Sequence, residues 1–353
     1  MSAMMERNQN VQQNAQQGQQ TVQDVFVKEK IMPHCVRIDE LSNHGINAND
    51  IEKLKTAGVC TMEGLSGASK KWLTQIKGLS EQKVEKLKAI SKKTCNDTFQ
   101  SATALATKRE NLVKITTGSQ PLDDMLMGGI ESGSMTELYG EFRTGKTQLM
   151  HTLAVSGQIP VENGGGGGKV MYIDTEGTFR PERIVQIAER FGVDGTSCLD
   201  NIAYAKANNT EHQQELLVAA GALLAQDLFS LILVDSATNL FRTEFEGRGE
   251  LSARQMALGK FLRHLAKLAN EFGVAVVVSN QVVANPEGGM FAGANAQKPI
   301  GGNIMAHAST TRLALRKGRG GNRVAKIACS PTLPESEAQY SISDGGIVDP
   351  EID

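Results

Sequence analysis

One segment of the chain combines glycines, a lysine and a hydroxyl at the spacing of a phosphate-binding loop. It reads G-x-x-x-x-G-K-T from Gly140 to Thr147, after a strand-like apolar stretch and before a helix-like one. Glycines let such a loop curl until its amide groups face phosphate oxygens, and the following helix adds the positive end of its dipole. We predict that it binds ATP, with Lys146 on the β- and γ-phosphates and Thr147 on Mg²⁺. The residues expected to contact the nucleotide here are Gly140, Glu141, Phe142, Arg143, Thr144, Gly145, Lys146, Thr147 and Gln148.

Three polar residues stand at or just beyond the ends of other strand-like stretches: Asp235, Glu176 and Gln281. In a parallel sheet the carboxyl ends of the strands meet at one edge, where ligands bind. Behind a P-loop, Asp235 fits a Mg²⁺ ligand, Glu176 the general base that orients the attacking water, and Gln281 a sensor of the γ-phosphate. The residues alone leave two alternatives open, a solvated loop carboxylate for Glu176 and a surface amide for Gln281.

Two unusual loops follow the predicted strand ends. Arg242–Arg254 places arginines around two glycines, and Val283–Gly302 is long, glycine-rich and holds one lysine. A loop of roughly 15–20 residues without secondary structure is uncommon in a compact domain and is usually functional or disordered. Because the second loop comes directly after Gln281, nucleotide binding would order it by a short mechanical route. The cations of the two loops are Arg242, Arg248, Arg254 and Lys298.

A basic run follows these loops. Arg312–Lys326 contains several cations and no acid, with glycines among them. Such a run is ordinarily a solvated face, but its glycines would also let the backbone approach a DNA phosphate, and we favour a phosphate track. The cations are Arg312, Arg316, Lys317, Arg319, Arg323 and Lys326.

The spacing of apolar residues predicts an α/β fold. Strand-like runs alternate with helical stretches from about residue 111 onward, which is typical of a mainly parallel sheet with helices on both faces. The longest helical pattern, Ser252–Phe272, has an apolar stripe, and Ser252 with Gln255 has the spacing of a capping box. The strand-like runs are Met135–Tyr139, Val170–Ile173, Leu231–Val234 and Val274–Val278.

Four regions are expected along the chain. Residues 1–30 are Gln-rich and should be disordered, with a partner-binding tail as the alternative; residues 31–93 should form a helical domain. Residues 94–110 are a polar linker with an isolated ring, Phe99, and residues 111–353 form the α/β core. In the helical region, the turn Ile76–Ser80 fits a helix-hairpin-helix, whose amides would bind a DNA phosphate, and it equally fits a plain helical hairpin.

Composition limits the class of protein. The chain has 353 residues and a formal net charge of −2, so any contact with nucleic acid must use local cationic clusters. No apolar stretch approaches the roughly 20 residues that span a bilayer, and the first residues lack the pattern of a signal peptide, so we expect no membrane partner. The five cysteines are scattered, without metal or redox spacing, which favours reduced thiols in a cytosolic or nuclear compartment.

Five stretches, in order, resemble one protein family. They are GEFRTGKTQ, YIDTEGTFRPER, FRTEFEGRGELSARQM, NQVVA and KPIGGNIMAHASTTRL, and the similarity extends over about residues 36–353. The chain resembles the eukaryotic RecA-type strand-exchange recombinases. DTEGTFRPERI and RGELSARQMALGKFLR are more similar to the general (mitotic) recombinase than to its meiotic paralogue. The resemblance implies a RecA-like P-loop ATPase core with a mainly parallel central sheet, preceded by a small all-α helix-hairpin-helix domain.

The resemblance implies an ATP-dependent homologous-recombination protein. Such a protein forms helical filaments on single-stranded DNA, pairs them with homologous double-stranded DNA and exchanges strands in double-strand break repair. It would work in the nucleus with recombination mediator proteins.

The resemblance also assigns roles to individual residues. Arg183 would stack on adenine, Pro334 would cap the ATP of a neighbouring subunit, and His307 would lie at the ATP-bearing interface. Phe99 and Ala102 match an F-x-x-A tether, whose Phe enters an apolar pocket of the neighbour. The residues expected to contact DNA are Arg143, Arg242, Arg248, Arg254, Lys298, Gly301, Gly302, Arg316 and Lys326.

Three departures from the family pattern keep alternatives open. Cys329 stands where the family usually has Asp, Pro286 lies where the second loop normally has an apolar wedge, and ANAQKP replaces a more basic run. Cys329 and Pro286 keep open an accessory ATPase that does not exchange strands. Two further alternatives, which do not rest on these departures, are the meiotic paralogue and a ring-forming motor with the same fold.

Overall fold

The computed structural model describes residues 35–95, 98–245, 247–284 and 297–351, without the side chains of Arg248, Ala284 and Gln297. The predicted tail, residues 1–30, and the wedge position Pro286 lie outside these residues. Within them, three short 3₁₀ helices are Ile38–His44, Val161–Asn163 and Arg248–Glu250. The α-helices are α1 (Ala48–Thr56), α2 (Met62–Gly67), α3 (Lys70–Leu73), α4 (Glu81–Thr94), α5 (Ala102–Glu110), α6 (Gln120–Met125), α7 (Lys146–Ser156), α8 (Pro181–Arg190), α9 (Gly195–Asp200), α10 (Thr210–Gln226), α11 (Asn239–Glu244), α12 (Leu251–Phe272) and α13 (Gly302–Ala308).

A nine-stranded sheet forms the centre of the described residues after 110, in the order β13-β12-β11-β10-β3-β7-β6-β4-β5. Neighbours from β10 to β5 pair in parallel, whereas β10 to β13 pair antiparallel. The strands are β1 (Lys114–Ile115), β2 (Ile130–Glu131), β3 (Met135–Gly140), β4 (Lys169–Asp174), β5 (Ile202–Lys206), β6 (Phe229–Asp235), β7 (Ala275–Asn280), β8 (Val282–Ala284), β9 (Gln297–Pro299), β10 (Thr311–Lys317), β11 (Arg323–Cys329), β12 (Glu337–Ser343) and β13 (Gly346–Val348). The predicted α/β fold with a mainly parallel sheet is therefore confirmed.

Continuous apolar runs make the central strands. Every residue of β6 and β7 is buried, as expected for strands that helices cover on both faces. Helix α7 packs against β3, β4, β6 and β7, and α12 packs against β3 and β7. This core fixes the strand ends at which the predicted nucleotide residues stand.

The start of α12 differs from the predicted capping box. The helix begins at Leu251, and the N-cap Glu250 makes no side-chain cap hydrogen bond. Instead, the carboxylate of Glu250 accepts from the amide of Gly247 at 2.9 Å, within the turn that leads into the helix. The capping-box interpretation of Ser252 was wrong, because the preceding 3₁₀ turn already places Ser252 inside the first helical turn.

A separate apolar core forms among the helices α1 to α4 and the first 3₁₀ helix. The backbone turns before α4 at Gly78, where φ is 88°, and Ser80 caps α4 by accepting from the amide of Lys83 at 3.4 Å. Buried Asp50 accepts from Lys53 at 3.1 Å and from Lys83 at 2.8 Å, so two of the module's lysines are already paired.

No helix of the described residues is long and apolar enough to cross a bilayer.

The predicted linker contains a helix. Helix α5 starts at Ala102, is capped by Ser101 and has no buried residue. Phe99, two residues before that cap, has a side chain that is fully exposed, at 108%. The linker therefore presents its only ring to solvent at the start of a helix.

Candidate functional site

The P-loop lies between β3 and α7. Two of its residues have a left-handed backbone, Arg143 with φ of 65° and Gly145 with φ of 97°. A Cβ on Gly140 would lie 2.1 Å from the carbonyl oxygen of Leu315, so a side chain there is excluded by the neighbouring strand β10. The left-handed backbone of Gly145 and the crowding at Gly140 thus explain why these two positions are glycines.

Lys146 starts α7, and its ammonium group donates to the carbonyl oxygens of Gly140 and Glu141, both at 2.8 Å. Burial lowers the pKa of Lys146, and the charges of Asp235 and Glu176 oppose this shift. The ammonium group thus lies over the loop that phosphates would enter, with two carboxylates near enough to act on it.

Asp235 ends β6 and is almost fully buried. It accepts hydrogen bonds from the hydroxyls of Thr147, at 2.7 Å, of Tyr172, at 3.4 Å, and of Ser279. Burial raises the pKa of Asp235, while the hydroxyls of Ser279 and Thr147 lower it. A carboxylate beside the P-loop hydroxyl is an oxygen-only donor set, which fits the one or two protein ligands that Mg²⁺ takes when phosphates and water supply the rest.

Glu176 and Gln281 contact each other across the cleft. The side-chain amide of Gln281 donates to the Glu176 carboxylate at 2.7 Å. The main-chain carbonyl of Gln281 also accepts from the amide of Ile300 at 3.0 Å, next to the end of β9. Gln281 is therefore bound on one side to the predicted general base and on the other to Ile300, next to the antiparallel pair β8 and β9.

These groups line one cleft of about 460 Å³, which we call the nucleotide cleft. It brings together most of the predicted nucleotide and metal residues. Its lining is Gly140, Glu141, Phe142, Arg143, Gly145, Lys146, Thr147, Gln148, Glu176, Thr178, Asp235, Ser279, Gln281 and Val282. Arg143, which was also expected at DNA, lies here, with its guanidinium 5.6 Å from the centre of the Phe142 ring.

Arg183, predicted to stack on adenine, lies beside the cleft rather than in its lining. Its guanidinium donates to Gln148 at 2.8 Å, to Gln186 at 2.9 Å and to the carbonyls of Ser343 and Asp344 in the turn between β12 and β13. These contacts hold the guanidinium at the end of the P-loop helix.

Pro334 and His307 lie away from the nucleotide cleft of their own chain. Strand β11 runs antiparallel to β10, so Cys329 at its end pairs with Arg312 near the start of β10, at the edge opposite the P-loop. Pro334 follows in the loop from β11 to β12, and exposed His307 lies near the end of α13, just before β10. Neither residue lines the nucleotide cleft of its own chain. A residue that acts on the ATP of a neighbouring subunit is expected to lie in such a place.

Several predicted DNA residues gather in a second depression of about 280 Å³, the cationic pocket. Its lining is Arg242, Arg254, Gln255, Leu258, Val283, Lys298, Pro299, Ile300, Gly301 and Gly302. Gly301 has φ of 89° and serves as the N-cap of α13. The pocket shares Ile300 with the contact to Gln281 described above, so the two depressions are one hydrogen bond apart.

Arg316 and Lys326, also expected at DNA, are not in this pocket. Arg316 pairs with Glu337 at 3.0 Å, and Lys326 pairs with Glu335 at 3.4 Å, all on or beside the antiparallel strands. Glu337 and Glu335 come later in the chain than the basic run, so the run itself showed no acid for Arg316 and Lys326.

Sequence reasoning missed several residues of the site. Ser279 and Tyr172 bind Asp235, and the hydroxyl of Tyr340 donates to the carbonyl of Thr144 in the P-loop at 2.7 Å. Asp174, fully buried at the end of β4, accepts from the amides of the Glu176 loop. Only Asp174 carried a signal, since it stands at the same kind of strand end as Asp235.

Comparison with known proteins gives a consistent result. Residues 108–350 match the family model described as Rad51. The chain is 56% identical over 313 residues to the Arabidopsis thaliana protein called DNA repair protein RAD51 homolog 1. The aligned region covers 88% of this chain and 91% of the Arabidopsis protein. It is 53% identical over 342 residues to DNA repair protein RAD51 of Mycosarcoma maydis, covering 97% of this chain and 99% of that one. A Zea mays protein, DNA repair protein RAD51 homolog B, is 57% identical over 313 residues, covering 88% and 92%.

The predicted resemblance to the eukaryotic RecA-type recombinases is thereby confirmed. The match spans residues 108–350, which include the P-loop, the strand ends and the residues that line the cationic pocket. The chain belongs to the Rad51 family.

Proposed function

We propose that this Rad51-family recombinase, a DNA-dependent ATPase of homologous recombination, forms an ATP-dependent helical filament on single-stranded DNA. The filament pairs with homologous duplex DNA and exchanges strands in double-strand break repair. One observation carries the proposal: Gln281 bonds the Glu176 carboxylate through its side chain and Ile300 of the cationic pocket through its main chain. A change at the γ-phosphate is thereby transmitted directly to the DNA side.

The nucleotide cleft supplies the parts of an ATPase. Lys146 neutralises the β- and γ-phosphates, and Glu176 takes the proton of the attacking water. When the side chain of Gln281 breaks its hydrogen bond to Glu176, it contacts the γ-phosphate. Thr147 and Asp235 would hold Mg²⁺, which would neutralise charge that develops on the phosphate oxygens. Asp235 is kept in place for this role by the hydroxyls of Ser279 and Tyr172.

The two edges of the sheet support assembly by head-to-tail contact. The P-loop lies at one edge and the Pro334 loop at the other, so one copy would complete the ATP site of the next. Exposed Phe99 would enter an apolar pocket on the neighbour. Contacts between two different surfaces build an open polymer, as a filament requires.

The cationic pocket offers a test of the DNA contacts. We expect Arg254→Gln to weaken binding to a single-stranded oligonucleotide and to reduce the slope of log affinity against log salt by roughly 0.7. Lys169→Gln is the control, because Lys169 is an ion-paired surface cation that lies outside the pocket and was not expected at DNA. If Arg254→Gln and the unaltered chain gave the same slope of log affinity against log salt, the cationic pocket would not bind DNA phosphates.

Strand exchange is the deciding experiment for the proposed function. Purified chain, Mg²⁺ and ATP should transfer a single strand into a homologous duplex and not into an unrelated one. The reaction should fail without nucleotide. Rings in electron micrographs would instead support a ring-forming motor, and ATP binding without any assembly would support an accessory ATPase.

We also propose that the chain acts in the nucleus with recombination mediator proteins. The DNA repair role supports a nuclear site of action. Fluorescent tagging of the full chain before and after induced DNA breaks tests this, and persistent exclusion from the nucleus would contradict it.

A further inference from the structure

We propose that Asp174 and Tyr204 are positioning residues that set the place of the Glu176 loop, and that the edge strand β5 thereby acts on ATP hydrolysis. The inference rests on the proposed role of Glu176 as general base. Neither residue lines the nucleotide cleft, so both would act through the loop and not on the nucleotide.

The buried carboxylate of Asp174 accepts hydrogen bonds from four successive amides of the Glu176 loop. Its Oδ1 accepts from the amides of Glu176 at 2.9 Å, Gly177 at 2.7 Å and Thr178 at 3.3 Å. Its Oδ2 accepts from the amide of Phe179 at 3.1 Å. Four successive main-chain groups are thus fixed by one side chain that is itself inaccessible to solvent.

Tyr204 completes this arrangement from the sheet edge. Its hydroxyl donates to Oδ2 of Asp174 at 3.3 Å, and its ring stacks on Phe179 with centroids 4.9 Å apart. It lies on β5, the last strand of the nine-stranded sheet in the described residues, and 46% of it is exposed. A molecule bound along β5 would therefore contact the Tyr204 ring, which packs against Phe179 of the Glu176 loop.

The position of Glu176 needs this support. The residue is exposed, and its hydrogen bond to Gln281 holds only the tip of the side chain. A general base displaced by about 1 Å loses on the order of a hundredfold in rate, because the water it orients no longer faces the phosphate. The main chain of the loop must then be held in place, and Asp174 does so for the amides of residues 176–179.

Two substitutions separate position from fold. Asp174→Asn has the shape of the native side chain, but its NH₂ group would face amides that also donate, so the loop shifts. Tyr204→Phe removes one hydroxyl and keeps the stacked ring. Asp227→Asn is the matched control, since Asp227 pairs with Lys169 at the surface before β6 and lies outside the nucleotide cleft.

The experiment measures single-stranded-DNA-dependent ATP hydrolysis by the full chain, together with assembly on an oligonucleotide with a non-hydrolysable ATP analogue. We expect kcat to fall roughly tenfold to a hundredfold for Asp174→Asn and about threefold for Tyr204→Phe. The analogue's affinity and the extent of assembly should stay within about twofold of the unaltered chain, and Asp227→Asn should match it throughout.

The outcomes are distinguishable from failure of the proposed function. If Glu176→Gln leaves hydrolysis unchanged, the general-base assignment itself is wrong. If Glu176→Gln abolishes hydrolysis while both Asp174→Asn and Tyr204→Phe retain full kcat, the positioning inference is overturned. A parallel fall in kcat, analogue affinity and assembly for Tyr204→Phe would mean a structural role only and would also overturn it. Tyr204→Phe decides alone if Asp174→Asn does not fold.

Discussion

The buried pair of Glu137 and Arg312 links the strands on which the site is built. Glu137 on β3 is wholly inaccessible and Arg312 on β10 is 14% exposed, with Nε 2.5 Å from the carboxylate. The same carboxylate accepts from the side-chain amide of Asn280 at 2.7 Å, and that amide also donates to the carbonyl of Ile300 at 2.8 Å. Removing the charge of Glu137 therefore leaves a guanidinium with little access to water.

We expect Glu137→Gln to lower the free energy of unfolding by about 3 kcal/mol, because one partner of a buried pair is removed. For a domain of this size that corresponds to a fall of roughly 6–12 °C in Tm. Circular dichroism in the far and near ultraviolet is the suitable probe, because the single tryptophan, Trp72, lies in the helical module and reports on that module instead.

The matched control is Glu337→Gln. Glu337 pairs with Arg316 on the same strand as Arg312, but the two side chains are 55% and 53% exposed. Exposed pairs contribute little, so the change should stay within about 0.5 kcal/mol. If Glu137→Gln cost no more than this control, burial would not govern the strength of the pair, and the reasoning from its inaccessible carboxylate would be refuted.

Three further predictions concern nucleotide, assembly and pH. Lys146→Ala should abolish binding of a fluorescent ATP analogue, because the loop loses its phosphate cation, whereas Lys169→Gln at a surface ion pair should bind normally. Phe99→Glu should give monomers in size-exclusion chromatography, because an unpaired charge buried in an apolar pocket costs several kcal/mol; long oligomers would contradict this, and exposed Thr103→Glu is the control. Burial, and then the charge of Arg183, lowers the pKa of His151 to about 4. Below pH 6.5 the unfolded chain therefore binds more protons than the folded chain. The free energy of unfolding should fall by up to about 1.4 kcal/mol per pH unit as the pH drops from 6.5 to 4. Urea unfolding at pH 7 and 5.5 should show a smaller loss for His151→Gln than for the unaltered chain, and equal losses would count against the buried neutral imidazole.

Local sequence predicted the parallel centre of the fold well. The runs predicted from Met135, Val170, Leu231 and Val274 each match an observed strand to within two residues at either end, because buried parallel strands are continuously apolar. The antiparallel strands β10 to β12 escaped prediction because they are partly exposed and mix polar or charged residues with apolar ones, and β13 because it is only three residues long.

The sequence predicted those residues of the site that belong to local motifs. The P-loop, Asp235, Glu176 and Gln281 line one cleft, as strand ends at one edge must. Hydrogen bonds between distant segments could not be read from the chain. The contact of Tyr340 with Thr144 joins positions far apart in sequence, and the acids that pair with Arg316 and Lys326 lie on a later strand and loop. Such pairings depend on the order of the strands in the sheet.

The placement of the P-loop and the Pro334 loop at opposite edges of one sheet gives every subunit two unlike ends. A row of n subunits would then have n − 1 completed junctions, and its last member would carry a cleft that nothing closes. Turnover per subunit should consequently rise with the length of the row and level off once terminal members become a small fraction, so short and long oligonucleotides should support measurably different rates.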